Sequence, residues 1–154
     1  MPLHVVLVEP QIPPNTGNVA RLCAATGCAL HLIEPLGFSI SDRELKRAGL
    51  DYWHAVDVRV HSSLEAFLAS WRAPLWLLST RASRTYAEAD FARGDALAFG
   101  SETAGLPQAL LDARPAHALR VPMRDDSVRS LNLSTVAGIV TYAALARLAF
   151  PGLR

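Results

Sequence analysis

Three polar stretches of this 154-residue chain carry the side chains able to do chemistry. The first, Asn15-Thr16-Gly17-Asn18-Val19-Ala20-Arg21, follows an apolar run directly, and free backbone N–H groups at a helix start favour an anion. Asn18 and Arg21, three residues apart, share a helix face away from Val19 and Leu22, although a capped helix with a solvated arginine has the same spacing. The second, Phe99-Gly100-Ser101-Glu102-Thr103-Ala104-Gly105-Leu106-Pro107, brackets a tight turn with two glycines at a strand's carboxyl end, where open α/β sheets bind ligands. An ordinary strand-to-helix turn reads alike. The third begins with Val121-Pro122-Met123 and, after a polar loop, offers Ser130-Leu131-Asn132-Leu133-Ser134 at a helix start, where simple N-capping is also possible. Each stretch is weak singly; the three in this order suggest one crevice.

Other nucleotide and hydrolase chemistries lack their motifs. There is no G-x-G-x-x-G, no G-x-x-x-x-G-K-[ST] and no G-x-S-x-G. Cys23 and Cys28 make neither a disulfide framework nor a zinc spacing, and the five histidines are scattered. We therefore expect reduced buried thiols and no metal. Net charge is +1, so bulk basicity announces no nucleic acid. Lys46 is the only lysine among 15 Lys and Arg, which reflects either codon usage or a local arginine-lined phosphate site. No apolar run approaches the ~20 residues of a membrane span, and Met1 to His4 lacks a basic signal region. A cytoplasmic protein of one domain, residues 1–154, is expected.

The elements that must position these stretches alternate. Leu3–Val8, Ala29–Ile33, Val56–Val60, Leu75–Leu78, Ala96–Phe99 and Leu119–Met123 read as strands. Asn15 or Thr16 is expected to cap a helix ending at Gly27. Ser41 with Glu44, and Ser62 with Glu65, have capping-box spacing, the first opening a short basic helix closed by Gly49 and the second a helix ending near Trp71. Arg81–Gly94 reads as loop with some helix. Leu131–Leu148 is apolar on most faces, so its second side calls for a cover, most simply a second copy of the chain. The pattern predicts an α/β fold with a mainly parallel sheet and helices on both faces.

The sequence resembles the SPOUT superfamily of RNA methyltransferases, closest to those that 2′-O-methylate the wobble nucleotide 34 of leucine tRNAs, a cytidine or modified uridine. The likeness runs nearly end to end, through Glu9-Pro10-Gln11-Ile12-Pro13-Pro14-Asn15-Thr16-Gly17-Asn18, Arg43 to Tyr52, the late segments and Phe150-Pro151-Gly152. It implies a carboxy-terminal trefoil knot, S-adenosylmethionine as methyl donor with S-adenosylhomocysteine as product, a homodimer and the tRNA anticodon stem-loop as partner. Matching motifs set Leu78, Gly100, Glu102, Leu106, Val121, Met123, Ser130 and Leu131 around the donor. They give catalysis to Arg21, Ser130 and Asn132, and RNA contacts to Asn15, Asn18, Arg21 and Tyr142. Ser130 and Asn132 would orient nucleotide and donor. Arg21 is a poor general base, since guanidinium stays protonated above a pKa of ~12. Holding a phosphate and stabilising alkoxide character suit it better. The loop from Arg124 to Arg129, with Asp125 and Asp126, departs from the family pattern. Alternatives are another tRNA or rRNA site, or a non-catalytic RNA-binding module on the same fold.

Overall fold

β1 (His4–Val8) is apolar on both faces because it lies inside a six-stranded sheet, paired with β2 (Ala29–Ile33) and β5 (Ala96–Phe99). This computed structural model describes residues 1–40 and 50–154. With β3 (Val58–His61), β4 (Leu75–Leu78) and β6 (Ala118–Leu119), the strand order is β3-β2-β1-β5-β4-β6, and every pair is parallel. Side-chain alternation splits the core in two. Leu3, Val5, Leu7, Leu30, Leu97 and Phe99 pack with α1 (Pro13–Thr26) and α4 (Leu133–Arg147). Val6, Val8, Ile33, Leu75 and Leu77 pack with Phe67 of α2 (Leu64–Ser70) and Leu110 and Leu111 of α3 (Gln108–Ala113). Fully burying such side chains is worth about 1.5–3 kcal/mol each, so the strand ends that bear the loops are firmly held.

Several boundaries differ from the sequence reading. Ile12, not Asn15 or Thr16, is the N-cap of α1, and Pro13 and Pro14 fill the first turn, where a missing N–H costs nothing. Asn15 and Thr16 are buried within the helix. Gly27 ends it at φ 75°, its N–H bonded to the Cys23 carbonyl. Ser63 rather than Ser62 caps α2, its Oγ accepting from Ala66 N at 3.0 Å. β3 is an edge strand starting at Val58 rather than Val56, and its Val60 is 43% exposed. β6 has two residues where five were expected: Pro122 has no N–H for a ladder, and beyond Arg120 the chain leaves the sheet. α4 starts at Leu133, two residues late, with Asn132 as its cap. Tyr86–Glu88 forms a 3-10 turn inside the expected loop. The helix expected from Ser41 to Gly49, with the Arg43 end of the middle motif, lies outside the described residues. No helix of the described residues is long and apolar enough to cross a membrane.

Candidate active site

Neighbouring β1 and β5 send their connections in opposite directions, β1 through α1 to β2 and β5 through α3 to β6. A crevice therefore opens at their carboxyl ends. Beyond β5 the chain folds back on itself, with Gly105 N bonded to Ser101 O at 3.0 Å and Ala104 N to Ser101 Oγ at 3.1 Å. Gly100 makes this approach possible: a Cβ there would stand 2.1 Å from the Gly105 carbonyl carbon. Gly105 itself has φ +68°, a conformation side chains disfavour.

Glu102 joins this turn to the start of α1. One carboxylate oxygen accepts from Gln11 N at 2.9 Å; the other accepts from Ile12 N at 2.8 Å and Asn15 Nδ2 at 3.1 Å. The anion expected at the opening of α1 is thus the protein's own carboxylate, favoured by the positive end of the helix. Asn15 Oδ1 accepts in turn from Asn132 Nδ2 at 3.0 Å, and Asn132 Oδ1 accepts from Ser134 N at 2.9 Å and Ser134 Oγ at 2.6 Å. A continuous chain of side-chain hydrogen bonds therefore links all three stretches singled out in the sequence.

These residues border a cavity of about 360 Å³, within the range of small-molecule sites. Leu78, Gly100, Glu102, Val121, Met123, Ser130, Leu131, Asn132 and Asn15 line it. Leu106 does not: its side chain is 1% exposed and belongs to the core beneath α3. Asn18 and Arg21 are exposed on α1 and Tyr142 on α4, and none of the three is among the lining residues. Asn15, expected to touch RNA, is 6% exposed with its amide nitrogen and oxygen both engaged, so its part is internal. The sequence reading missed Ser79, Thr80 and Arg81 after β4, and Arg129 before Ser130. The rule that strand carboxyl ends bear ligands, applied at β5, would have found the β4 group as well. Apolar walls and backbone polar groups at strand ends suit a flat nucleoside-like ligand.

A second cluster lies on the α2 side of the sheet. His4 Nδ1 and His31 Nε2 are 2.9 Å apart, as are His31 Nδ1 and His61 Nε2, forming a row across β1, β2 and β3. Trp71 meets His4 and His31 edge-on, and Phe67 meets His31 and His61. Burial pushes His31 down to about 3, helped by its two histidine neighbours and Arg59; Asp57 opposes. Burial, with Arg59 adding, lowers His4 and His61 too. Among the described residues no group of three or more His, Cys, Asp or Glu is placed to hold a metal ion. Cys23 and Cys28 are free and buried, and burial raises both thiols, which leaves them protonated and unreactive.

Residues 2–142 match the model of the SpoU rRNA Methylase family. The tRNA (cytidine(34)-2′-O)-methyltransferase of Yersinia pestis is 48% identical, over 97% of this chain and 96% of that protein. The enzyme of the same description from Escherichia coli (strain K12) is 47% identical, over 97% and 96%. A structure solved for insight into the 2-OH methylation of C/U34 on tRNA superposes with a TM-score of 0.90 at 48% identity, covering 96% of each chain.

Proposed function

The chain belongs to the SpoU rRNA Methylase family, and from that premise we propose that it 2′-O-methylates the ribose of nucleotide 34 in tRNA, a cytidine or modified uridine in leucine tRNAs. The observation that carries the reading is the Glu102–Asn15–Asn132 chain, which draws three distant stretches into one nucleoside-sized cavity. Relatives described as acting on cytidine 34 and nearly half identical along their whole length support the choice of substrate.

S-adenosylmethionine, when bound, supplies a methyl group on a sulfonium and departs as S-adenosylhomocysteine. In this chain Leu78, Val121, Met123 and Leu131 would offer apolar contact to it, and the turn that Gly100 lets fold back would form the wall beside it. Glu102 and Asn15 fix the crevice walls in advance of binding, so alignment of the reacting atoms does not have to be created at the moment of transfer. Ser130 lies exposed on the rim, free to orient the ribose, while Asn132 caps α4 and holds Asn15. Arg21, permanently charged, grips a phosphate of the RNA and stabilises negative charge on the attacking oxygen. Asn18 and Tyr142 extend the RNA surface of the anticodon stem-loop. Arg21 does not border its own cavity, so a homodimer in which each α1 serves the partner's crevice accounts for its role. Phe150, 43% exposed just beyond α4, marks a surface that a second copy would cover, beside the RNA-facing Tyr142. A tRNA substrate places the enzyme in the cytoplasm, acting as one catalytic domain that carries the superfamily's knot and needs no metal.

The test is to incubate the protein with labelled S-adenosylmethionine and bulk tRNA and map the 2′-O-methyl groups. Label at nucleotide 34 is expected. Label at another tRNA or rRNA position moves the substrate, and donor binding without transfer to any RNA reduces the protein to a binding module.

A further inference from the structure

The turn after β5 is held from two directions. Glu102 ties it to the start of α1, as described above. On the opposite side stands Arg81, three residues beyond β4. Its Nη2 donates to the Leu106 carbonyl and its Nη1 to Gln108 Oε1, while Gln108 Nε2 donates to Asp112 at 2.9 Å. The base of Arg81 is fixed as well, its N–H bonded to Ser79 Oγ at 3.1 Å, with Ala82 N bonded to Ser79 O at 3.3 Å. A guanidinium suits this place because its planar fork reaches a carbonyl and an amide oxygen together, which an ammonium does less well.

The bonded carbonyl belongs to Leu106, whose amide nitrogen, with Gly105, forms the surface against which Gly100 lies. Arg81 Nη2 is 3.5 Å from the position a Cβ on Gly105 would take. Arg81 also borders the cavity and is exposed, so its bonds are not part of the hydrophobic core. Without the clasp, Glu102, the bonds within the turn and the buried Leu106 side chain would remain to hold the stretch, with no side chain from the β4 side fixing the Leu106 carbonyl.

We propose that Arg81 is a positioning residue that keeps the Gly100–Leu106 turn closed in the shape that accepts the methyl donor, and so sets donor affinity independently of the RNA. The identity of the donor rests on the function proposed above. The clasp itself does not.

Calorimetric titration of the intact protein with S-adenosylmethionine and S-adenosylhomocysteine, for wild type, Arg81→Ala, Arg81→Lys and the distant control Arg93→Ala, tests this. Arg81→Ala is expected to bind both about tenfold more weakly, equivalent to about 1.4 kcal/mol. Arg81→Lys should fall between it and wild type, and Arg93→Ala should match wild type. In turnover, the donor KM should rise while the tRNA KM stays put. In ligand-free Arg81→Ala, the Gly105 amide should exchange with solvent faster while global melting is retained. Unchanged donor affinity in Arg81→Ala, or a loss matched by collapse of ligand-free melting, overturns the proposal. Failure of wild type to bind either compound refutes the functional reading instead; Gly105 exchange then decides the clasp alone, and unaltered exchange overturns it.

Discussion

Asn132 donates its side-chain amide to the side-chain Oδ1 of Asn15 at 3.0 Å, although the two lie 117 positions apart in sequence. Asn15 uses its own amide on Glu102, so one small side chain bridges the turn after β5 and the start of α4. Asn15→Ala should remove both bonds at a net cost of about 1–3 kcal/mol, although Glu102 keeps its bond from Ile12 N and Asn132 is open to water. Donor affinity should fall at least about tenfold, and turnover with it. Asn15→Asp should be worse, because it sets a second carboxylate against Glu102. Calorimetry and urea denaturation of both variants check this, and an Asn15→Asp protein that binds like wild type contradicts the bridging role.

Gly100→Ala tests the fold-back of the turn. The added methyl would sit 2.1 Å from the Gly105 carbonyl carbon and 2.2 Å from Leu106 N, both backbone atoms that cannot swing aside. The turn must open, and donor binding should drop below detection while β1 and β5 stay paired. Circular dichroism alongside calorimetry separates these effects.

Arg21→Ala should depress turnover by about 100-fold or more, an electrostatic loss of the size seen when one charge-stabilising donor is removed. Donor affinity should hold, because Arg21 lies on α1 outside the cavity of its own chain. Mixing Arg21→Ala with Gly100→Ala protein should restore part of the activity, since in the mixed dimer one crevice keeps an intact turn and receives a wild-type arginine. No recovery after subunit exchange would place Arg21 at its own chain's crevice.

The histidine row gives the protein a one-sided pH response. His31 stays neutral in the fold down to about pH 3, whereas an unfolded histidine protonates near 6.5. Below that value the unfolded state binds the extra proton, so stability rises with pH in this window and is complete above it. His31 alone gives a slope of up to about 1.4 kcal/mol per pH unit as the pH falls below about 6.5. His4 and His61, lowered in the same sense but more accessible, add to it. Urea midpoints should fall steadily from about pH 7 to about pH 5. In a His31→Phe variant the dependence should flatten.

Much of the fold was legible because parallel strands buried on both faces read as unbroken apolar runs, as in β1, β2, β4 and β5. The edge was harder to read. Val58 and Val60 alternate as in a half-covered strand, yet nothing in the sequence says that β3 is last in the sheet. Helix starts slipped where side-chain chemistry was ambiguous: Asn15 is a good capping residue, but Pro13 and Pro14 open α1 first and free it for a tertiary bond. The site was legible as three stretches of chain, not as a wiring diagram. That Glu102 neutralises the opening of α1, that Leu106 turns inward and that Arg81 reaches across from β4 depend on contacts between residues 25 to 91 positions apart, which no local pattern encodes. His4, His31 and His61 looked scattered for the same reason, since strand order alone makes these three neighbours.

The bond between Asn15 and Asn132 also has a bearing on biogenesis. Its two partners are separated by 117 positions of synthesis, so a ribosome-tethered chain can have Asn15 in place and still have no finished crevice. Contacts so distant in sequence form late and slowly. The crevice is therefore complete only once α4 has docked and brought Asn132 to Asn15.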